Sequence, residues 1–354
     1  MNTAYKPELF ELSDPERKRS LTELREKNTQ LQVLDTFEFQ VKELIKSRRI
    51  SNPVPDHKWD EVIREYCNGK QLHECGTWIH YPWSNRLIHL LDKSDFIELR
   101  TNRNLYKITT EEKNLLQYKK IGIIGLSVGK AVATTLAMER VCGHIKLADF
   151  DDIELSNLNR IQSGLHNLKL NKAIIAAREI SEFDPYLTIE CFTEGITEKN
   201  IQDFLIGTGK LDLLIDECDS MEMKIKSRLA ARKHGIPVIM ETSDRGMLDI
   251  ERFDLEPQRD LFHGRIKDFD LSKTSEWDAQ MRFKLVSAIV GADTASEKLL
   301  YSYSEIGKSI GSWPQLASAV MLGGATCTDT ARRILLGSLS SSGRYYIDLE
   351  KIIS

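Results

Sequence analysis

The feature that most restricts the fold is a glycine loop, Ile124-Gly-Leu-Ser-Val-Gly-Lys-Ala131. It lies between a short apolar run, Ile121–Ile124, and a helical stretch from Gly129 to Arg140. A buried strand that turns through glycine directly into a helix opens a βαβ unit. The pattern continues downstream. His144–Phe150, Leu187–Phe192, Leu211–Ile215 and Pro237–Met240 read as strands, with Lys172–Ser181 and Ser220–His234 as helices among them. This alternation predicts an α/β fold with a mostly parallel sheet. Met247–Phe253 is strand-like without a paired helix. Helices are expected around Ser275–Ala288 and Pro314–Leu336, and a closing strand at Tyr345–Leu349.

Ahead of the glycine loop the texture differs. A capping box, Ser20-Leu-Thr-Glu23, predicts a long polar helix running toward Arg49. A helix over His57–Cys67, a strand at Thr77–Tyr81, a helix from Ser84 through Leu91 and a strand at Phe96–Arg100 follow. The expected division is an α+β appendage over residues 1–98 and a second domain over 99–354, with a polar insert at about 254–312.

Composition narrows the partners. The 354 residues carry 49 Lys+Arg against 53 Asp+Glu, a net charge of −4, which argues against a dominant grip on nucleic acid. No apolar run reaches the roughly 18–20 residues of a membrane-spanning helix, and Met1–Ser20 lacks the apolar centre of a secretory signal. The six cysteines include no C-x-x-C pair, so no zinc site is expected, and scattered thiols fit a cytoplasmic chain.

The loop itself can be read three ways. As G-x-S-x-G it makes Ser127 a hydrolase nucleophile. As a phosphate loop it fails, with Ile124 and Ala131 at two required positions. As a dinucleotide-type loop it keeps Gly125, with Ser127 and Lys130 replacing the later glycines. A nucleotide site needs an acid at the end of the next strand to accept the ribose hydroxyls, and Asp149 lies 24 residues past Gly125 at such a strand end. That decides for a nucleotide. Ser127 is small enough for a phosphate to approach the backbone, and the helix start after Gly129 favours an anion. Lys130 either adds charge for a polyphosphate or is solvated.

The segment Asp149-Phe-Asp-Asp-Ile-Glu-Leu-Ser-Asn-Leu-Asn-Arg160 resembles the signature of the ThiF/MoeB (ubiquitin-activating-enzyme-like) adenylyltransferases. The resemblance runs over about residues 100–340, through Lys172, Asp216-Glu-Cys-Asp219 and Ile236–Glu241. It implies a Rossmann-like mixed sheet, parallel in its first half and antiparallel in its second, flanked by helices. It also implies adenylation of a carboxylate by ATP, with Mg²⁺. Asp149 would then accept the ribose hydroxyls and Asn157 hold phosphate or a metal-bound water. Arg160 would clamp the β- and γ-phosphates, Lys172 face the α-phosphate and Asp219 hold the metal. The alternative for Asp219 is to cap the following helix. Arg100-Thr-Asn-Arg103-Asn104 is similar to the family's arginine arm, whose second arginine reaches the partner protomer's ATP, so Arg103 and a homodimer are implied.

The substrate expected is a carboxylate: the C-terminus of a peptide or small protein, or a small molecule. No cysteine lies between Cys218 and Cys327, so no thioester step is expected; Cys218 is a weaker thiol candidate. His80-Tyr-Pro-Trp-Ser and Gly311-Ser-Trp-Pro-Gln-Leu are similar to a bacterial subgroup whose longer members continue into a nitroreductase-like domain. Two other functions stay open: an inactive nucleotide-binding scaffold of the same fold, and a serine hydrolase using Ser127 with His234 or His263.

Overall fold

The computed structural model describes residues 3–271, 277–291 and 294–353. Two compact units emerge, Met1–Thr110 with Ser181–Tyr186, and Glu111–Ile180 with Leu187–Ser354. In the first, strand β1 (Glu8–Glu11), helix α1 (Pro15–Lys27), β2 (Gln32–Asp35), α2 (Phe37–Arg48), α3 (Trp59–Tyr66), β3 (Thr77–Tyr81), β4 (Arg86–Leu90) and α4 (Lys93–Arg100) follow in order. The strands form one sheet, β1-β3-β4-β2, with β2 parallel to β4 and the other pairs antiparallel.

Three expectations for this unit are corrected. The helix expected from Ser20 to Arg49 is two helices with β2 between them. Its start is set by Asp14, whose carboxylate accepts the Glu16 N–H at 2.9 Å just ahead of Pro15. Ser20 lies inside the helix and donates to the Glu16 carbonyl. Ser84–Leu91 is a turn and a strand, because Asn85 takes a left-handed φ of 53° and joins β3 to β4. Phe96–Arg100 is the end of α4. Short apolar runs fit helix and strand equally, and tertiary packing chose here.

From Thr110 onward come α5 (Thr110–Leu116), β5 (Lys120–Ile124), α6 (Gly129–Glu139), β6 (His144–Ala148), α7 (Lys172–Phe183), β7 (Thr188–Phe192), β8 (Leu213–Asp216), α8 (Met221–Lys233), β9 (Val238–Thr242) and β10 (Met247–Glu251). Helices α9 (Ala279–Val290), α10 (Glu297–Glu305) and α11 (Ala317–Leu335), strand β11 (Gly343–Tyr346) and helix α12 (Leu349–Ile352) complete the chain. Ser275, the expected start of α9, falls outside the described residues. The sheet order is β11-β10-β9-β8-β5-β6-β7, parallel from β9 to β7 and antiparallel at β10 and β11. This is the mixed Rossmann-like sheet expected. Among the described residues no helix is long and apolar enough to cross a membrane.

The connectivity creates the site. From β5 the chain winds outward through β6 and β7, then returns to lay β8 on the other side of β5. The strand order therefore reverses between β5 and β8, the place where open α/β sheets generally bind their ligands. Ile121, Ile123 and Ile124 are buried at the centre of the sheet and fix β5 beneath it.

A charge network braces the β8 side. Arg228 on α8 is wholly buried, pairs with Asp216, donates from Nε to Glu251 at 2.6 Å and stacks on Phe262. Lys224 Nζ donates to the Asp216 carboxylate at 3.2 Å. Burial alone would raise the Asp216 carboxyl, but Lys224 and Arg228 beside it hold it down to about 2. Glu251 in turn accepts the Phe262 N–H at 2.6 Å, at a residue whose φ of 49° is unusual for an aromatic side chain.

Candidate nucleotide site

The glycine loop bends where the sequence requires it. Gly125 has φ of +85°, and a Cβ there would lie 2.5 Å from the Glu217 carbonyl oxygen. Only glycine fits so close to the β8 loop. Its N–H donates to the Ala148 carbonyl at 2.8 Å, and the next N–H, of Leu126, donates to Asp149 Oδ2 at 2.6 Å. Asp149 thus ties the loop to the end of β6. The Asp151 N–H donates to Asp149 Oδ1 at 2.8 Å, and each oxygen keeps a lone pair for a further donor. Burial pushes the Asp149 carboxyl up from its ordinary value, while Lys172 and the two N–H donors oppose that.

Arg160 crosses the loop. Its Nε donates to Ser127 Oγ at 3.2 Å, and a second guanidinium nitrogen donates to Asn159 at 2.9 Å. Burial lowers its pKa, and the Asp219 carboxylate works against that, so Asp219 lies within the electrostatic reach of Arg160. Asn157 supports the turn that carries Arg160. Its side-chain oxygen accepts the Glu154 N–H at 3.0 Å, and its carbonyl accepts the N–H groups of Arg160 and Ile161. Lys172 opens α7 and donates to Asp151 at 2.7 Å, within the field of Asp149.

Asp219 is exposed, and no hydrogen bond to its carboxylate is present among the described residues. The cap of α8 is Ser220, which accepts the Met223 N–H at 3.3 Å, so Asp219 is not the helix cap. An exposed carboxylate with no fold partner among the described residues is of the kind Mg²⁺ uses, since that ion usually takes one or two protein carboxylates and fills its remaining positions with phosphate and water. Gly129 starts α6, and a Cβ there would meet Ile123 at 2.9 Å. Arg103 belongs to the first unit, exposed on a single 3₁₀ turn, Asn102–Asn104.

Lys130 departs from both sequence readings. It is buried, pairs with Glu179 at 2.5 Å and donates to the Gln162 carbonyl. It thereby moors the segment after Arg160 to α6. Among the described residues neither expected histidine pairs with Ser127: His234 meets Gln202 at 2.8 Å, and His263 stands 3.0 Å from Asp249 and 2.7 Å from Arg259.

Residues 99–263 match the model of the ThiF family. The chain carries a ThiF-family domain. Over 278 residues, 78% of this chain, it is 42% identical to an uncharacterized protein of Mycobacterium tuberculosis, of which it spans 38%. It is 26% identical over 228 residues to the molybdopterin-synthase adenylyltransferase of Haemophilus influenzae, covering 62% of this chain and 90% of that protein. The adenylyltransferase class expected from the sequence is the activity that relative is named for. The structure is also similar to that of the E. coli tRNA N6-threonylcarbamoyladenosine dehydratase TcdA in complex with AMP. The TM-score is 0.50 and the identity 19%, over 68% of this chain and 96% of that one, a likeness of fold.

Behind the ThiF glycine loop lies a buried acid pair that the sequence reading missed. Glu217 Oε1 accepts the Glu241 N–H at 3.0 Å and stands 4.0 Å from Cys327 Sγ. Both carboxylate oxygens of Glu241 are buried without a hydrogen-bond partner, and a Cβ on Gly323 would lie 2.5 Å from one of them. The available signal was a glutamate near the carboxyl end of each of two apolar strands, one just past β8 and one in β9. Burial pushes Glu241 up to about 8. The unfolded chain releases that proton near the ordinary 4.5, whereas the folded one keeps it until about 8. Stability therefore falls as pH rises through that window, by up to ~1.4 kcal/mol per pH unit for one proton. Glu241→Gln should flatten this decline in thermal melts between pH 5 and 8.5. A decline of the same steepness in Glu241→Gln and wild type would show that Glu241 is not its source.

Proposed function

We propose that the protein uses ATP to adenylate a carboxylate. A carboxylate oxygen attacks the α-phosphorus, the bond to the β-phosphate oxygen breaks, and pyrophosphate leaves with the electron pair. The obstacle is an anion approaching an anion, and cations fixed beforehand lower that barrier. The observation that supports this reading is Arg160, seated on Ser127 across the glycine loop and within the electrostatic reach of Asp219. In this reading Asp149 receives the ribose and Arg160 forks onto the β- and γ-phosphates, a geometry lysine matches less well. Lys172 exchanges Asp151 for the α-phosphate. Gly125, Ser127 and Gly129 let the backbone approach, and Asn157 holds the Arg160 turn. Mg²⁺ on Asp219 would neutralise charge building on the leaving pyrophosphate. Arg103 would serve the partner protomer's nucleotide in a homodimer.

The acyl group passes to its acceptor without a thioester in this reading. Burial, and then Asp216, pushes the Cys218 thiol well above its ordinary range. Cys327 is buried in α11 and raised by burial, Glu217 and Glu241. Neither is a ready thiolate nucleophile. ATP–pyrophosphate exchange against peptides with varied C-termini tests the whole. Exchange should appear, vanish in Asp219→Ala, and stay within about twofold of wild type in Cys218→Ser and Cys327→Ser, since neither thiol is ionised. ATP binding with no exchange for any carboxylate would favour the scaffold reading. Exchange that dies with either cysteine would restore a covalent step.

A further inference from the structure

The first unit brings together two cysteines that no part of the nucleotide site uses. Cys67 ends α3: its N–H donates to the Ile63 carbonyl at 2.9 Å, and it is buried with Phe37, Val62 and Ile63. Cys75 stands just ahead of β3. Its carbonyl accepts from His89 Nε2 at 2.7 Å, and the His89 ring is stacked between Phe37 and Trp78. Each backbone is therefore fixed by its own neighbours, without help from residues 68–74.

Between these anchors the chain folds back through Asn68 and Gly69, with φ of 52° and 78°. The Cys75 thiol consequently lies 3.9 Å from the Cys67 carbonyl and 3.5 Å from that of Gln71. The two thiols are in hydrogen-bonding contact with each other, and both are free. They differ in access: Cys67 is 3% exposed, whereas Cys75 is only half-buried. Burial, and then the neighbouring Cys75 thiol, pushes the Cys67 thiol up to about 12. A buried thiol beside a reachable one suits a disulfide made in two steps, the reachable sulfur reacting first.

We propose that Cys67 and Cys75 form a reversible disulfide that locks the 68–74 loop when the protein meets a small-molecule disulfide. The Cys75 sulfur, as thiolate, attacks one sulfur of that oxidant. The oxidant's S–S bond breaks, and one thiolate leaves with the electron pair and takes up a proton. The Cys67 sulfur then gives up its proton and attacks Cys75 Sγ, expelling the second small thiol. Two cysteines are oxidised and one small disulfide is reduced to two thiols. Capping Cys75 also lifts that thiol's share of the Cys67 shift and leaves burial alone to hold the proton. The loop carries His73, which lines an open cleft with Arg25, Val33 and Trp78, so the bond fixes one wall of that cleft.

The test incubates the full chain with glutathione disulfide in the absence of denaturant, then alkylates it and maps the peptides by mass spectrometry. A Cys67–Cys75 link should appear, with an intact mass short of two hydrogens that dithiothreitol restores. Hydrogen exchange over residues 68–74 should slow by about tenfold or more once the loop is closed. In Cys67→Ala, Cys75 should stop at the glutathione adduct. A wild type that accumulates that same adduct, or that keeps both thiols open to alkylation, overturns the proposal. A link that forms while exchange over 68–74 stays unchanged overturns the lock.

Discussion

Arg160→Ala is expected to weaken ATP by about 10–150-fold, the worth of a charge-assisted hydrogen-bonded contact, while leaving AMP within about twofold. The contrast follows from the proposed role, in which the guanidinium would reach phosphates that AMP lacks. Exchange should fall further, by about 10²–10³-fold, because preorganised charge counts most where charge develops. Arg160→Lys should recover only part, since one ammonium cannot reproduce the fork that also holds Ser127 and Asn159. Calorimetry with both nucleotides, alongside exchange kinetics, separates the effects. Equal weakening of ATP and AMP would place Arg160 on the adenosine instead, and unchanged ATP affinity would remove it from the site.

Arg228→Ala should be the most damaging substitution for stability. It strips Asp216 and Glu251 of their shared cation at a wholly buried position. Breaking a buried pair from one side typically costs about 3–5 kcal/mol, or on the order of 10 °C in melting temperature for a unit of this size. The consequence should reach the nucleotide. Asp216 also accepts the Cys218 N–H at 3.2 Å and so shapes the turn that presents Asp219. Arg228→Met combined with Glu251→Gln should recover part of the loss by neutralising one orphaned charge. Melting curves for both variants decide the matter, and a single variant within 1 °C of wild type, where this principle predicts about 10 °C, would show the network to be dispensable.

The nucleotide half was legible because its signals are local and redundant. Strand β5, its glycine turn and α6 share one short segment, and Asp149 falls where a second strand must end. The appendage was legible only in part, at α3 and β3. Strand β2 is exposed along its whole length, so no alternation of buried and open positions marks it. Strand β4 buries His89 between the rings of Phe37 and Trp78, each 4.2 Å away, and a polar residue inside a strand hides its period. Lys130 was misread for a related reason. Its partners, Glu179 and the Gln162 carbonyl, are 32 or more residues away, and composition near the loop carries no trace of them. The acid pair Glu217–Glu241 joins two strands whose adjacency only the sheet order reveals.

That α8 takes its cap from Ser220 leaves the neighbouring carboxylate with no duty in folding. Asp219 can therefore be neutralised in a living cell without lowering the amount of intact protein. If the proposed reaction holds, such an allele would bind the substrate without converting it, and so could retrieve that substrate from a cell extract.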